Sequence, residues 1–335
     1  MMYTMVCPKK RLYLKYLICD VYIIMYMGLN KIIAIGDLHG DFQVFLKILL
    51  MCDLINKKLE WIGGDTFLVQ MGDTLDGKRP DSNIEKSFLK ESGEVEIIRL
   101  ILNLDAQAKK FNGRVISLLG NHELYPYYLK NDKQFIRDYV KKKDIQQFRK
   151  VYNTDRIKFL TPGGIGGSLF GRTRPLILQL GEFIFVHGSI TDKLIKSGLN
   201  PKTGKVDISK INMETSLWLQ GEGEIPDYLK EMDEENPVFS RLYSKSKTFD
   251  KKECSSFDKQ LKFFNGANYV VMGHSRFKEI NSVCNNSLIR IDISLSRAFG
   301  GNLSNKTLQA LEIIQVPGKK SEINVISQNG KVKLS

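Results

Sequence analysis

The 335-residue chain is 42% hydrophobic and 26% charged, which excludes a disordered or fibrous protein and allows a large core. Fifty Lys and Arg against 37 Asp and Glu leave a formal charge of +13, a positive field that draws in phosphate esters, phosphoproteins or nucleic acid. The basic residues are spread along the sequence, with a run at Lys141–Lys143 and few aromatics between them, so no specific nucleic-acid site is expected.

Arg11–Leu29 (RLYLKYLICDVYIIMYMGL) is apolar enough for a signal-anchor, but Lys15 and Asp20 interrupt it and no small-residue cleavage site follows. Residues 1–30 therefore read as a hydrophobic extension, either poorly ordered or accessory, with membrane contact the lesser alternative. The folded unit is expected to begin at Lys31. There KIIAIGD (Lys31–Asp37) reads as a strand, and DFQVFLKILLMCDLI (Asp41–Ile55) carries apolar residues at helical spacing. The same grammar of an apolar run stopped by Gly and a polar residue recurs in TFLVQMGD (Thr66–Asp73) and RVISLLGNHE (Arg114–Glu123). It recurs again in EFIFVHGS (Glu182–Ser189) and YVVMGHS (Tyr269–Ser275). Between the second and third strands EVEIIRLILNLDAQAKKF (Glu94–Phe111) reads as an amphipathic helix, and Lys130–Tyr152 as a charged helical stretch. No linker, repeat or low-complexity tract divides residues 31–317, which are expected to form one domain. INVISQNGKVKLS, in the last segment (318–335), predicts a closing hairpin turning at Asn329-Gly330. The fold expected is a layered α/β (α+β) one, a central two-sheet β-sandwich flanked by helices. Cys7, Cys19, Cys52, Cys254 and Cys284 form an odd set with no CxxC pair, and read as free thiols of a reducing, cytoplasmic compartment rather than zinc ligands.

The sequence has four histidines, His39, His122, His187 and His274, and all four fall at strand ends, in GDLHG, GNHE, VHG and GHS. If strand ends make up about a tenth of positions, chance places all four there roughly once in ten thousand times. Loops at the carboxyl ends of strands in open α/β sheets converge on one crevice, so residues far apart in sequence meet there. The set to be explained is Asp37, His39, Asp73, Asp76, Asn121, His122, His187 and His274. Imidazole, carboxylate and amide oxygen without thiolate suit Mn, Fe or Zn. Eight such groups exceed what one ion needs, which points to two metals bridged by a carboxylate and to phosphoester hydrolysis.

GDLHGD, GDTLDGK, GNHE, VHGSI and GHSR, in that order, resemble the signature blocks of the calcineurin-like metallophosphoesterases, and specifically of their phosphoprotein phosphatase group. NPVFSRLYS (Asn236–Ser244), ANYVVMGHSRF (Ala267–Phe277) and IRIDISLSRAFGGN (Ile289–Asn302), followed by LQALEI, are most similar to the Shewanella-like protein phosphatases. The likeness spans Lys31–Ile314 and implies the same helix-flanked sandwich. It implies that Asp37, His39 and Asp73 hold one metal, and that Asp73, Asn121, His187 and His274 hold the other. His122 would be the acid that protonates the leaving oxygen, with Asp76 orienting it. Arg241 would grip the phosphoryl oxygens as a fork. Where the family continues Asp-Arg-Gly, this chain has Asp76-Gly77-Lys78-Arg79, so an arginine that normally clamps the phosphate is missing. Either Lys78 or Arg79 reaches the same oxygens across the Gly77 turn, or both are solvated loop charges. Thr161–Pro175 (TPGGIGGSLFGRTRP) lacks a P-loop lysine and resembles the loop before the FVHG strand in those phosphatases, with Arg172 and Arg174 as candidates for the cleft border. Tyr125 and Trp218 are candidates for the pocket wall or for the core.

Three functional readings follow. The first is a dinuclear Mn, Fe or Zn phosphatase acting on phosphotyrosine or phosphoserine/threonine of a phosphoprotein or phosphopeptide, by attack of a metal-bridged hydroxide. The second is a nucleotide or dinucleotide polyphosphate hydrolase, motivated by the relocated cation. The third is a phosphatase-like scaffold with weakened catalysis.

Overall fold

A computed structural model describes residues 31–316 and 318–334. The readings made for residues 1–30, including Cys7 and Cys19, lie outside the described residues. In chain order the strands are β1 (Lys31–Ile35), β2 (Phe67–Gln70), β3 (Arg114–Ser117), β4 (Ile177–Leu180), β5 (Phe183–Val186), the two-residue β6 (Leu199–Asn200) and β7 (Lys205–Val206), β8 (Tyr269–Met272), β9 (Asn281–Val283), β10 (Leu288–Arg290), β11 (Gln309–Ile314), β12 (Glu322–Ser327) and β13 (Gly330–Lys333).

Two sheets result, ordered β13-β12-β11-β1-β2-β3 and β4-β5-β8-β10-β9. Each contains three parallel strands: β1, β2 and β3, at one end of the first sheet, and β5, β8 and β10, in the middle of the second. Parallel strands covered on both faces need apolar residues on both, and every residue of β2, β3, β5 and β8 is buried. The period of two then sorts side chains between layers. Phe183, Phe185, Tyr269 and Val271 join the core shared with the first sheet, while Ile184, Val186, Val270 and Met272 join the core beneath the helices of the second.

Helices Phe42–Met51 and Glu94–Ala108 carry the crossovers from β1 to β2 and from β2 to β3. The first is capped by Asp41, whose Oδ1 accepts from the Val44 N–H at 3.2 Å, and it buries Val44, Phe45, Ile48 and Leu49 at helical spacing. Lys130–Tyr152 divides into helices Lys133–Tyr139 and Lys142–Tyr152. The closing hairpin forms as expected, and it extends the first sheet: β12 pairs with β11 over six residues and sends Ile323 and Val325 into the core.

Two expectations are corrected. The glycine-rich segment is not mainly a loop, because Ile165–Thr173 is helical; its glycines serve packing, and a Cβ on Gly166 would stand 2.2 Å from the Phe159 ring. Nor are all the cysteines free. Cys254 and Cys284, separated by 30 positions, are joined as a disulfide between helix Lys251–Leu261 and the β9–β10 turn, a proximity created by the fold and invisible in the spacing. Cys52 is a buried free thiol, which burial pushes up to about 12. No helix among the described residues is long and apolar enough to cross a membrane.

Candidate metal centre and active site

The carboxyl ends of the six parallel strands converge, and each delivers a polar residue within a few positions. Asp37 and His39 follow β1, Asp73 and Asp76 follow β2, Asn121 and His122 follow β3, His187 follows β5, His274 follows β8 and Asp292 follows β10. All nine are buried. His39, Asp73, Asp76 and His274 hold left-handed backbone with φ of 41°, 55°, 64° and 63°, a conformation that non-glycine residues retain only where the surroundings over-determine it.

Asp73 is the hub. Its Oδ2 lies 3.3 Å from His187 Nε2, 3.7 Å from His39 Nε2 and 3.8 Å from His122 Nε2. Asp37 Oδ2 stands 3.9 Å from His39 Nε2, and Asn121 Oδ1 stands 3.0 Å from His187 Nε2. Two clusters have ligand atoms close enough for one ion each, His39/Asp73/His122 and Asp73/His187/His274, and they share Asp73. Backbone carbonyls fix the tautomers, since a carbonyl only accepts. His39 Nδ1 donates to Leu75 O at 3.0 Å and His187 Nδ1 to Met71 O at 2.7 Å, which turns each Nε2 toward Asp73. His274 is reversed, donating from Nε2 to Phe239 O at 3.1 Å.

The charges here are arranged for cations. Burial, with the Asp292 and Asp73 carboxylates beside it, pushes Asp37 well above the usual carboxylate range. Burial pulls His187 down, but Asp73 and Asp37 outweigh it and hold the imidazole up at about 10. Burial and the neighbouring Arg79 hold His39 well below its ordinary value, and burial with His187 does the same to His274. Asp292 Oδ2 is buried without a hydrogen-bond partner. An orphaned carboxylate oxygen beside two more buried carboxylates fits residues built around metal ions.

His122 is held differently from the other imidazoles. Its Nδ1 meets Asp76 Oδ2 at 2.7 Å, and Asp76 is buried in turn against a guanidinium, Oδ1 accepting from Arg156 Nη2 at 2.8 Å. Arg156 also bonds Glu94 Oε2 at 2.6 Å, and Glu94 Oε1 accepts the Asp76 N–H at 2.8 Å. Glu123, next to His122, ties the loops together: its Oε2 accepts the N–H groups of Asp73 and Gly120 at 2.8 Å each, and its Oε1 accepts Thr74 N–H at 2.8 Å.

A cavity of about 320 Å³ opens over this set, walled by Arg79, Tyr125, Tyr139, Arg241, Arg276 and Phe299 among others. Arg79 lies inside it, its Nη2 3.1 Å from His39 Nε2 and 3.3 Å from His122 Nε2, its guanidinium 4.8 Å from the Phe299 ring centre. Arg241 reaches the rim from the other side, donating to His274 O at 3.0 Å and Ser275 Oγ at 2.8 Å. Lys78 does not line the cavity, because its Nζ donates to the Arg137 carbonyl. Lys141 explains Gly77: a Cβ at position 77 would stand 2.7 Å from Lys141 Cε, and that lysine is itself buried, donating to Gly40 O at 3.0 Å.

The structure thus gathers every residue picked for a metal, proton-transfer or phosphate role except Lys78. Arg174 is buried behind the site against Glu123 at 3.1 Å, and Arg172 bonds Gln220, so neither borders the cleft. Trp218 is core, whereas Tyr125 is wall. Sequence reasoning missed Asp292, Glu123, Arg156 and Arg276. Asp292 does carry a signal, since IRIDIS ends a strand in a polar residue as the other blocks do, though with no histidine beside it.

A sequence profile described as calcineurin-like phosphoesterase matches residues 30–275. Shewanella-like protein phosphatase 1 of Plasmodium berghei is 30% identical over 277 residues, covering 80% of this chain and 67% of that protein. Shewanella-like protein phosphatase 2 of Arabidopsis thaliana is 24% identical over 344 residues, covering 90% and 78%. Among solved structures, a cold-active protein-tyrosine phosphatase of a psychrophilic Shewanella species superposes with a TM-score of 0.68 at 21% identity, covering 92% of this chain and 82% of that one. Strand ends that deliver Asp, His and Asn to one Asp73-centred cluster, on this fold and in this block order, place the chain in the calcineurin-like phosphoesterases and, within them, among the Shewanella-like protein phosphatases.

Proposed function

We propose that this chain hydrolyses phosphotyrosine or phosphoserine/threonine monoesters of phosphoproteins, with two ions drawn from Mn, Fe or Zn. The observation that carries this reading is the His122–Asp76 pair at 2.7 Å, facing the cavity beside the Asp73-centred ligand set. Asp37, His39 and Asp73 would hold one ion, and Asp73, Asn121, His187 and His274 the other. When bound, such ions supply Lewis-acid neutralisation of the phosphoryl oxygens and a water activated at neutral pH.

The remaining work belongs to side chains. His122 holds a proton at Nε2 for the departing alkoxide or phenoxide, and Asp76 keeps the ring oriented and stabilises its protonated form. Arg156 and Glu94 fix Asp76 from behind. Arg241 and Arg79 flank the cavity as cationic forks for the non-bridging oxygens. Arg79 keeps Nη1 on the Asp76 and Lys78 carbonyls, at 2.8 and 2.6 Å, and presents Nη2 to the cavity. Tyr125, Tyr139 and Phe299 wall the space where a phosphorylated side chain enters.

The names of the two relatives, both protein phosphatases, support this substrate class. A scaffold would have no use for a leaving-group acid held by a buried arginine, which disfavours that reading. The test is hydrolysis of p-nitrophenyl phosphate and of phosphopeptides by metal-loaded protein and by His122→Asn. The variant is expected to lose about 10²–10⁴ in kcat while keeping its metal content by elemental analysis. Equal rates for the two proteins would sink the proposal.

A further inference from the structure

Beside the catalytic cavity lies a second, larger one. It is an open groove of about 970 Å³ whose lining carries six cations, Arg241, Lys245, Lys247, Arg276, Lys278 and Arg290, against the carboxylate of Glu279. Arg241 and Arg276 line both spaces, so the groove continues directly from the mouth of the site. A substrate whose phosphoryl group sits in the cavity has its flanking chain at the groove's entrance.

The groove is built rather than incidental. Arg290, almost fully buried in β10, joins its two walls: Nη1 donates to Ser246 O at 2.7 Å, Nη2 to Lys247 O at 2.9 Å and Nε to Asn281 Oδ1 at 2.8 Å. Its guanidinium also lies 4.3 Å from the Phe277 ring centre. Arg241 ties the same 241–247 segment to Ser275. These buried bonds position the exposed cations above them without consuming their charge. Lys245 is paired with Glu234 at 3.0 Å, whereas Lys247, Arg276 and Lys278 are exposed and in no ion pair among the described residues. A preformed groove with unneutralised cations favours an anionic ligand, because little ordering is needed on binding and like charges gain by being screened.

We infer that this groove selects phosphopeptides carrying further negative charge, as Glu and Asp side chains or as a second phosphoryl group, on one side of the phosphorylated residue. The inference rests on the phosphatase reading and names the substrate class of the same site. The two anionic sources share one chemistry, and the experiment separates them.

Fluorescein-labelled peptides carry a non-hydrolysable phosphonate in place of the phosphorylated residue and are flanked by Gly/Ser, by four Glu, or by a second phosphonate. Binding to the metal-loaded full chain and to its Lys247→Glu/Lys278→Glu variant is read by fluorescence anisotropy at low and high salt. kcat/KM is read separately on the matching phosphopeptides. The expected result is roughly tenfold tighter binding of an anionic-flanked peptide than of the neutral one, abolished by the variant and by salt, with the larger gain telling carboxylate from phosphate. The preference is a ratio within one enzyme, so a change in the catalytic centre common to all peptides cancels. Equal binding of all three peptides overturns the groove, whether or not they are turned over. An anionic preference in binding without turnover of any phosphopeptide keeps the groove and overturns the phosphatase reading.

Discussion

At the scale of single residues, the site separates what a sequence can say from what only proximity reveals. Four histidines at four strand ends were enough to find Asp73 and its partners, because the chemistry-bearing residue types are rare and their positions repeat. Arg79 against Lys78 could not be decided that way, since both are cations in one loop. The structure distinguishes them by the bond that holds each one: Lys78 is held at the Arg137 carbonyl, and Arg79 stands over His39 and His122. Arg79→Ala is therefore expected to lower kcat/KM by about 10- to 100-fold and to weaken inhibition by inorganic phosphate, while Lys78→Ala changes either by less than about twofold. Matched loss in both variants would contradict the assignment. His187 gives a pH dependence with a definite sign. Its value in the metal-free fold, about 10, lies above the ordinary 6.5, so the folded state binds its proton more tightly than the unfolded one. That stabilisation is complete below about 6.5 and is lost as pH rises toward 10. The melting temperature of metal-free protein should fall over this window, and that of metal-loaded protein, whose imidazoles are deprotonated and ligated, should fall less. A metal-free protein with a flat profile from pH 6.5 to 10 would show that His187 is not so held.

At the scale of elements, the rule that a buried strand ends in Gly and a polar residue located the five strands β1, β2, β3, β5 and β8. It worked because parallel strands must be apolar on both faces and because their carboxyl ends open onto the crevice. It failed for β10, where Arg290 interrupts the apolar run and no histidine follows; yet that arginine is a structural clamp and Asp292 faces the site. It also misread Thr161–Pro175, where glycine signals close helix packing instead of a turn. The disulfide was equally hidden, since cysteine spacing carries no information about which helix packs near which hairpin. Closing a loop of 30 positions restricts the unfolded chain by about 3–4 kcal/mol in the chain-entropy account. Cys254→Ser/Cys284→Ser is thus expected to lower the unfolding free energy, read from urea titration, by an amount of that order, with a matching fall in the midpoint. An unchanged midpoint, with both thiols labelled before unfolding, would mean that the pair is reduced in solution.

At the scale of the whole molecule, the charge of +13 looked uniform along the sequence, and the fold makes it local. Segments 241–247 and 275–279 lie far apart in the chain and meet beside the site, so a run-length reading of charge could not see the groove. The layered architecture was legible from alternating strands and helices, whereas which loops face each other was legible only through the histidines they carry. Gly77 and Lys141 extend this point from space to descent. An arginine introduced at position 77 collides with Lys141, and Lys141→Ala alone removes the ammonium that pairs with the buried Asp144 at 3.6 Å. Each single change is expected to cost about 3–5 kcal/mol, read from urea unfolding, and the double change less than the sum of the two. A strictly additive cycle would refute the coupling. If it holds, the Asp-Arg-Gly order and the present one, with its cation two positions further along at Arg79, are separated by two coupled substitutions rather than one.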